Sequence, residues 1–569
     1  MASGASAPAS DDAVSAFDAS GVPLRVVTAA SLFDGHDAAI NVMRRLIQAA
    51  GCEVIHLGHD RSALDVVKAA IEEDAHAVAL TSYQGGHMEY FTYIRELLNA
   101  AGREDIRIFG GGGGTITPPE IRDLHAAGIT RIYSPDDGRQ MGLLGMIDDL
   151  VQQASECNLL GQDMNLNSPV TPAQREKVAR LISLAENADP VTFAQALKAC
   201  RSRPMETRVP VIGFTGTGGA GKSSLLDELM RRITTQNPQL NVALLCTDPT
   251  RKRTGGALLG DRIRMNTLTS DRLFMRSLAS RSSGKELSEK TREAIEVCQA
   301  VGYDLIFVET SGIGQGSDAI RDVSDVSLYV MTSEFGAHTQ LEKIEMLDVA
   351  DLVVLNKFEK RGAEDALRAI RKQVKRNRNL FEVEDQALPV IPTIANQFSD
   401  PGVDLLWERL SGILSDRHEM ILAAREPQLP ESGMPEPQHI IPPERIHYLA
   451  DISRTVRGYH SRTGEMSQKV RLVQQLEATA RHMAGLADGT GTTLSTGAAA
   501  AVADIRIQAE EVRNTIHPMA WTMIGEYEEK ANQYRSGTYT YQVRGKDFSV
   551  DTTTESLAHS SIPRVALPN

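Results

Sequence analysis

Several features that would place the chain in a specialised class are missing from its sequence. The five cysteines are scattered and form no Cys-x-x-Cys pair, so we expect no structural zinc site and predict a reduced, cytoplasmic environment. No apolar run approaches the ~20 residues that a membrane-spanning helix requires. The formal net charge of −14 argues against general binding to nucleic acids or anionic membranes, because Lys and Arg contact phosphates. Residues 1–21 lack a basic start and a long apolar centre, which predicts a disordered tail rather than a signal peptide.

The length of the chain predicts several domains. Its 569 residues exceed the roughly 250–300 that one hydrophobic core can serve, so three or four domains are expected. Over residues 22–153, short β-branched runs alternate with helix-length segments. This alternation predicts an α/β fold with a doubly wound parallel sheet of the flavodoxin type. An amphipathic stretch at 154–208 predicts a helical linker, and a second α/β region follows at 209–416.

The carboxyl-terminal part, residues 417–569, begins with a proline-rich joint at which a helix cannot continue. After the joint, the pattern predicts a mostly helical linker region and then an extended tail. In this tail Tyr539, Tyr541 and Val543 occupy alternate positions.

A glycine-rich segment, Gly216 to Ser223, lies between an apolar strand pattern and a helix pattern. Free backbone N–H groups and the positive end of the helix dipole attract phosphate at such a helix start. Lys222 can then reach the β- and γ-phosphates, and the Ser223 hydroxyl can bind Mg²⁺. The overlapping Gly-x-Gly-x-x-Gly pattern also occurs in dinucleotide sites, but the Lys-Ser pair after it indicates a triphosphate. The predicted phosphate-binding residues are Gly218, Gly219, Ala220, Gly221, Lys222, Ser223 and Ser224.

Polar residues also follow the next predicted strands. Asp248 and Glu309 each end an apolar strand pattern, where a carboxylate can face a magnesium ion, and with Lys222 they are the predicted catalytic residues. The segment Asn356-Lys357-Phe358-Glu359 ends another strand, at the position where Ras-like proteins read guanine. A carboxylate there accepts both ring N–H donors of guanine and rejects adenine. Glu359 is one methylene longer than the usual Asp, so guanine is predicted with reduced affinity.

Asp34-Gly35-His36 lies just after the first predicted strand, at the carboxyl edge where open α/β sheets bind ligands. Asp34 can accept the proton of one imidazole nitrogen, which makes the other nitrogen a better metal ligand. A lone histidine is more often structural, but its place at the sheet edge favours a metal-binding role for His36. Two loops with few side chains, Ser82 to Gly86 and Gly110 to Gly114, would let a bulky ligand approach the backbone.

Three segments of the second α/β region resemble the G-protein chaperones of methylmalonyl-CoA mutase. They begin at Asp248-Pro249-Thr250, Thr254-Gly255-Gly256 and Glu309-Thr310-Ser311. The resemblance implies a Ras-like P-loop GTPase whose switch segments, 250–265 and 311–318, move on GTP hydrolysis. It also implies that Arg264 lies near the nucleotide. The implied magnesium ligands are Ser223, Thr247 (through its carbonyl), Asp248, Asp261, Glu309 and Thr310.

The loops of the first α/β region resemble the Asp-x-His-x-x-Gly, Ser-x-Leu and Gly-Gly signature of base-off, His-on cobalamin domains. Ala39 and Gln84 depart from this signature, because they stand where Gly and Leu are usual. The resemblance implies that His36 is the lower axial ligand of cobalt and that Asp34 orients it. The implied cofactor-binding residues are Asp34, Gly35, His36, Ser82, Gly85, Gly86, Gly111, Gly112 and Thr115.

The order of these regions is similar to that of the fused isobutyryl-CoA mutases, which the segments 33–38, 81–87 and 394–398 resemble closely. In that family a TIM barrel follows and binds acyl-CoA. A barrel requires ~250 residues, and the chain shows no pattern of eight strand–helix units. The resemblance implies adenosylcobalamin and Mg²⁺ as cofactors, GTP or GDP as ligand, and a mutase barrel domain or subunit that binds acyl-CoA. It further implies a homodimer and an adenosyltransferase that delivers the cofactor.

Three alternative functions stay open on the sequence alone. A corrinoid carrier or sensor would need no attached GTPase. A nickel or cobalt metallochaperone GTPase would carry a His-rich or Cys-containing metal loop, for which residues 209–416 show no motif. An ATPase would differ from the favoured GTPase in its base selectivity.

Overall fold

A computed structural model of the chain describes residues 16–204, 208–251, 253–281, 286–312, 318–335, 341–342, 344–430, 432–437, 441–488, 495–557 and 559–566. The chain divides into two compact units, the first ending at residue 438 and the second beginning at residue 439. Most of the predicted disordered tail (1–15) and part of the second predicted switch (313–317) lie outside the described residues. The domain boundaries predicted at 153, 208 and 416 fall within the first unit and stay predictions.

The first unit alternates strands and helices along the chain. Its strands are β1 (Arg25–Ser31), β2 (Glu53–Arg61), β3 (Ala77–Thr81), β4 (Arg107–Gly111), β5 (Arg131–Tyr133), β6 (Val211–Gly216), β7 (Val242–Asp248), β8 (Ala257–Leu259), β9 (Leu273–Ala279), β10 (Leu305–Glu309), β11 (Val326–Met331), β12 (Leu352–Leu355) and β13 (Val390–Pro392). Its helices are α1 (Asp37–Ala49), α2 (Ala63–Glu72), α3 (His87–Ala100), α4 (Pro118–Ala126), α5 (Pro135–Ser155), α6 (Arg175–Asn187), α7 (Pro190–Cys200), α8 (Lys222–Gln236), α9 (Thr291–Val301), α10 (Met346–Val349), α11 (Ala363–Asn377) and α12 (Pro401–His418).

The first sheet has six parallel strands in the order β5-β4-β3-β1-β2-β8. The central strand β1 is buried along its whole length, as expected for a parallel sheet that helices cover on both faces. Apart from β8, the order is that of the flavodoxin type, with the topological switch point between β1 and β3. This part of the predicted fold class is therefore confirmed.

Strand β8 was not predicted, because its three residues lie in the segment 250–265 that the sequence analysis took for a switch loop. It pairs in parallel with β2, in register from Glu53 opposite Ala257 to Ile55 opposite Leu259. Gly256 allows this approach, since a Cβ atom there would lie 2.0 Å from the carbonyl oxygen of Gln48. A segment of the second α/β region thus completes the sheet of the first.

The second sheet has seven parallel strands in the order β13-β12-β11-β6-β10-β7-β9. Apolar side chains of β6, β10, β11 and β12 fill the layers on both faces, and helices α8, α9, α11 and α12 cover them. This confirms the second predicted α/β region. The strand β9 was missed by the sequence analysis, because Arg276 and Ser277 interrupt its apolar pattern, although both side chains are fully buried.

Helix α5 lies beside the first sheet and is built from two pieces. Ser134 and Asp137 form a capping box at its start, where each side chain accepts a hydrogen bond from the backbone N–H of the other. Gly142, at φ +68° and ψ 176°, interrupts the helix, since only glycine adopts this conformation without strain. The second piece packs Met146 and Leu150 against the sheet.

Buried ion pairs join the first sheet, helix α6 and the second sheet. Arg25 contacts Glu53 at 2.8 Å, Glu73 at 3.3 Å and Glu186 at 3.4 Å. Arg276 of β9 contacts Glu186 at 2.7 Å, and the backbone and hydroxyl of Ser277 donate to Glu73. Removing one member of such a set is costly, because the remaining buried charges lose their counter-ions.

The second unit consists of helices followed by two small antiparallel ribbons. Its elements are α13 (Tyr448–Asp488), α14 (Thr496–Asn514), α15 (Pro518–Gly525), α16 (Tyr527–Arg535), β14 (Thr538–Val543), β15 (Lys546–Asp551), β16 (Thr553–Glu555) and β17 (Ser561–Pro563). The predicted mostly helical linker region is confirmed by these helices, and the predicted extended tail forms the ribbons β14–β15 and β16–β17. In the part of the chain that the structure describes, no helix is both long and apolar enough to cross a membrane.

We expect Glu73→Gln to lower the free energy of unfolding by about 3–5 kcal/mol, because Arg25 and Arg262 would lose a buried carboxylate partner. Urea unfolding followed by tryptophan fluorescence and circular dichroism measures this change. Glu104→Gln, the same substitution at an exposed residue, should leave the urea midpoint unchanged. Equal midpoints for the two variants would contradict the structural role of the ion pairs.

Candidate nucleotide and cobalamin sites

The loop between β6 and α8 has the backbone of a phosphate site. Gly216 and Gly221 adopt φ values of +144° and +90°. A Cβ atom on Gly221 would lie 2.5 Å from the Asn356 amide nitrogen, so glycine is required there. Lys222 opens α8 and its ammonium donates to the Gly216 carbonyl at 3.1 Å. The positive end of α8 and the Lys222 ammonium therefore meet at the loop, as anion binding requires.

An acidic cluster lies at the start of α8. The Ser223 hydroxyl is 2.9 Å from a Glu309 carboxylate oxygen and 3.2 Å from an Asp261 carboxylate oxygen. Asp248, at the end of β7, accepts a hydrogen bond of 2.8 Å from the backbone N–H of Gly260. Arg264 donates to Asp261 at 2.7 Å. The structure thus brings together four of the predicted magnesium ligands with the predicted arginine.

The electrostatics of this cluster fit a divalent cation. Burial and the neighbouring Asp261 raise the pKa of Glu309 to about 8, although Lys222 and Ser223 lower it. Burial and Asp261 likewise raise the pKa of Asp248 to about 7. A hard cation with oxygen ligands would replace these protons. The Cys246 thiol is also near, 3.8 Å from Glu309.

The side chains of two further predicted magnesium ligands form no hydrogen bond with the acidic cluster among the described residues. The Thr310 hydroxyl donates to Thr215 at 3.2 Å and not to the acidic cluster. The Thr247 hydroxyl is buried without a hydrogen-bond partner among the described residues. The magnesium ligand predicted at Thr247 is the backbone carbonyl oxygen and not the hydroxyl. The roles of Thr247 and Thr310 as magnesium ligands therefore stay predictions.

The predicted guanine-reading segment borders the phosphate loop. The Asn356 amide donates to the Ala220 carbonyl at 2.9 Å, and the Lys357 ammonium donates to the Gly219 carbonyl at 2.6 Å. Asn356 also accepts from the backbone N–H of Ala395 at 3.1 Å, which ties it to the end of β13. Phe358 is buried, whereas Glu359 is exposed, as a carboxylate must be if it is to bind the guanine base of a nucleotide. Base selectivity stays a prediction.

The predicted metal-ligand histidine stands at the edge of the first sheet. The side chain of His36 is 72% exposed, and its Nδ1 lies 2.7 Å from a carboxylate oxygen of the fully buried Asp34. Asp34 also accepts from the backbone N–H of Tyr83 at 2.6 Å. Burial alone would raise the pKa of Asp34, but the hydrogen bonds from Tyr83 and His36 lower it overall. An ionised Asp34 holds the proton on Nδ1, which leaves the Nε2 lone pair free for a metal.

A cavity of about 410 Å³ opens beside this loop, between α1, β3, β4 and α5. Most of its walls are apolar and include Ile40, Met43 and Phe109. Gly111 and Gly112, two of the predicted cofactor-binding residues, form one wall. A Cβ on Gly112 would lie 1.9 Å from the Ser82 carbonyl oxygen, so glycine is required for this wall.

Thr81 is a candidate cofactor residue that the sequence analysis did not select. It lines the cavity, is buried, and its hydroxyl has no hydrogen-bond partner among the described residues. The neighbouring Ser82 instead accepts a hydrogen bond from Ser31 at 2.9 Å and does not line the cavity. Gly85, Gly86 and Thr115 lie outside the cavity wall as well, and their roles stay predictions. The alternation of side chains along a strand would have separated Thr81 from Ser82.

Residues 178–423 match the model of a protein family described as the methylmalonyl-CoA mutase-associated GTPase MeaB. A GTPase-family protein of Pyrococcus horikoshii is 36% identical over 237 residues, which cover 42% of this chain and 73% of that protein. The chain belongs to the MeaB family of GTPases. This membership confirms the predicted P-loop GTPase.

This member of the MeaB family also carries a cobalamin-binding domain, since residues 24–137 match the B12 binding domain model. The fused isobutyryl-CoA mutase of Geobacillus kaustophilus is 45% identical over 552 residues, 96% of this chain and 50% of the relative. That of Nocardia farcinica is 46% identical over 548 residues, 96% of this chain and 49% of the relative. The predicted resemblance is thereby confirmed. The chain spans about half the length of the curated relatives it matches.

We expect the free energy of unfolding to fall as the pH rises from about 5 to about 8 in the absence of divalent cations. The folded state binds protons on Asp248 and Glu309 that the unfolded state, with ordinary pKa values of about 4, has already released. Urea unfolding at a series of pH values with a chelator measures this slope.

Glu309→Gln should flatten the pH dependence, because the variant has no proton to lose at this position. Glu296→Gln, at an exposed position, serves as the matched control and should retain the full slope. The prediction fails if Glu309→Gln and the control show the same slope.

We expect His36→Ala to abolish the change in the absorption spectrum that added cobalamin undergoes when an imidazole binds its metal. The reason is that the Nε2 of His36 is the exposed nitrogen that Asp34 orients. His59→Ala removes another exposed histidine and should leave the spectrum of the complex unchanged. Spectra of His36→Ala that match those of the wild type would exclude the ligand assignment.

Proposed function

We propose that the chain is the cobalamin-binding and GTP-hydrolysing portion of an adenosylcobalamin-dependent acyl-CoA mutase, in which the nucleotide controls loading, protection or release of the cofactor. The observation that most supports this proposal is that one segment, residues 256–262, takes part in both α/β regions. Its strand β8 pairs with β2 of the first sheet. Two residues later, Asp261 contacts Ser223 in the acidic cluster.

The next residue, Arg262, strengthens this connection. Its guanidinium lies 2.8 Å from Glu72 and 3.2 Å from Glu73, at the end of α2 in the first α/β region. Asp261 and Arg262 are adjacent in the chain, so a displacement of Asp261 by metal and nucleotide also moves Arg262. A ligand shifts a conformational equilibrium only through contacts that differ between two states, and the contacts of this segment would have to differ in this way.

Hydrolysis would rest on residues at the start of α8. Lys222 would neutralise the β- and γ-phosphates, and the Ser223 hydroxyl with the carboxylates Asp248, Asp261 and Glu309 would hold Mg²⁺. Oxygen ligands of this kind suit a hard cation such as Mg²⁺. Glu359 would accept hydrogen bonds from guanine.

His36, Asp34 and the cavity with Thr81 would hold the cofactor. Adenosylcobalamin supplies a cobalt–carbon bond whose homolysis starts a radical 1,2 shift. The exposed Nε2 of His36 would bind the metal. The cavity would enclose a mostly apolar group of the cofactor, and the Thr81 hydroxyl would form a hydrogen bond with a polar atom of that group.

The names of the relatives point to isobutyryl-CoA, which a complete enzyme would convert to butyryl-CoA. Acyl-CoA would bind to a mutase barrel domain or subunit. The homodimer, the adenosyltransferase that delivers the cofactor and the cytoplasmic location remain predictions from the sequence.

In the wild type we expect the affinity for cobalamin to differ between GDP and a non-hydrolysable GTP analogue by about 5–150-fold, the usual range of coupling between sites. Equilibrium titration of cobalamin by absorbance at saturating nucleotide measures this ratio. Gly256→Ala should bring the ratio close to one, because the added Cβ would meet the Gln48 carbonyl and push β8 from the first sheet.

Gly260→Ala is the matched control within the same segment. Its added Cβ would have only the Leu258 side chain near it, at 4.0 Å, so the ratio should equal that of the wild type. GTP hydrolysis by both variants confirms that the second α/β region is folded. A wild-type ratio of one would contradict the proposed control by the nucleotide and leave a carrier or sensor with an independent GTPase.

A further inference from the structure

The ribbon β14–β15 in the second unit has one apolar face and one polar face. Its strands pair in antiparallel register, with Tyr539 opposite Val550 and Tyr541 opposite Phe548. Arg544 and Gly545, at φ +51° and +76°, form the two-residue turn that suits the twist of such a ribbon. Because side chains alternate between faces, the aromatic and aliphatic residues share one face and Thr540, Gln542 and their partners share the other.

The aromatic side chains of the apolar face form a continuous stack. Tyr534 of α16 stacks on Tyr539 at 5.1 Å between ring centroids. Tyr539 stacks on Tyr541 at 6.0 Å, and Tyr541 stacks on Phe548 at 5.9 Å. The stacked rings therefore form an ordered strip along the ribbon without help from a partner protein.

The strip is open on its outer side. Tyr541, Val543, Phe548 and Val550 keep 41%, 45%, 46% and 44% of their surface exposed. A two-stranded ribbon is only marginally stable in water unless its apolar face packs against another surface. Contiguous exposed apolar patches of this kind mark interaction sites. The face therefore requires a partner surface that is itself apolar, since Lys546, next to the turn, is the one charged residue of the two described strands on this side.

We infer that the apolar face of β14–β15 is the docking surface for the polypeptide that forms the other half of the relatives' length, an inference that rests on the proposed function. The match to the relatives covers 96% of the chain but only 50% of the Geobacillus relative, so an equally long partner polypeptide is available. The resemblance to the fused mutases implies that the barrel follows this linker region, so the ribbon would be its neighbour in sequence. A surface placed there meets the second half at high effective concentration when both are in one chain.

A binding experiment with the full 569-residue chain tests this inference. The probe is the second half of the Geobacillus kaustophilus relative, purified as a folded fragment, and analytical ultracentrifugation measures its complex with the chain. Tyr541→Thr with Phe548→Thr removes two rings from the apolar face and keeps strand propensity, because Thr favours strands. We expect this double variant to weaken binding on the order of tenfold or more, as the loss of central aromatic contacts does.

Gln542→Thr with Asp547→Thr is the matched control, because these residues form the next directly opposed pair on the polar face. It should bind the probe as the wild type does. Equal binding by the two double variants, or no binding of the probe by the wild-type chain, would overturn the inference. A wild-type dimer that dissociates on Tyr541→Thr with Phe548→Thr would also overturn it, because a second copy of this chain would then occupy the face.

The nucleotide dependence of cobalamin affinity is measured in the same proteins and involves the first unit. If the apolar variant binds the probe like the wild type while this dependence persists, the docking inference alone is wrong. If the dependence is absent from the wild type, the proposed function is wrong, whatever the probe does.

Discussion

The structure of the first unit depends on a set of buried ion pairs between its two α/β regions. Arg25 of β1 and Arg276 of β9 share the carboxylate of Glu186 on α6, and Glu73 accepts from both Arg25 and Ser277. These charges are shielded from water, and Glu186 and Glu73 each have partners from more than one region. The cobalamin-binding region, helix α6 and the GTPase region therefore hold one another in place, and neither sheet presents a self-sufficient surface there.

This mutual dependence offers a short route through which the proposed nucleotide and cobalamin sites would influence one another. The acidic cluster draws Ser223, Asp248 and Glu309 from the second sheet, whereas Asp261 comes from the segment that also supplies β8. The route from the acidic cluster to the first sheet is thus a few residues of backbone, reinforced by Arg262. In the loops after β1 and β3 of that sheet, the backbone N–H of Tyr83 and the His36 ring share Asp34.

The sequence was sufficient for those features that depend on neighbouring residues. The phosphate loop and the Asp34–His36 pair are short patterns whose geometry follows from their own spacing, and the alternation of runs predicted both sheets. It was insufficient where burial depends on distant partners. Arg276 appears polar in the sequence, yet it lies in a buried strand because Glu186 compensates its charge. Likewise β8 is a strand only because β2 offers it an edge, and Thr81 rather than Ser82 faces the cavity because the strand places alternate side chains on opposite faces.

The position of β8 has a consequence for any attempt to produce the cobalamin-binding region by itself. A gene fragment cut in the linker before β6 would omit residues 257–259, and the N–H and C=O groups of β2 that pair with them would be left bare. Uncovered strand edges recruit further strands and lead to aggregation. Such a fragment would also leave Glu53 without Arg281, and Glu73 without Arg262 and Ser277. An isolated version would therefore need a grafted cap strand, or polar replacements along β2, before it could remain monomeric.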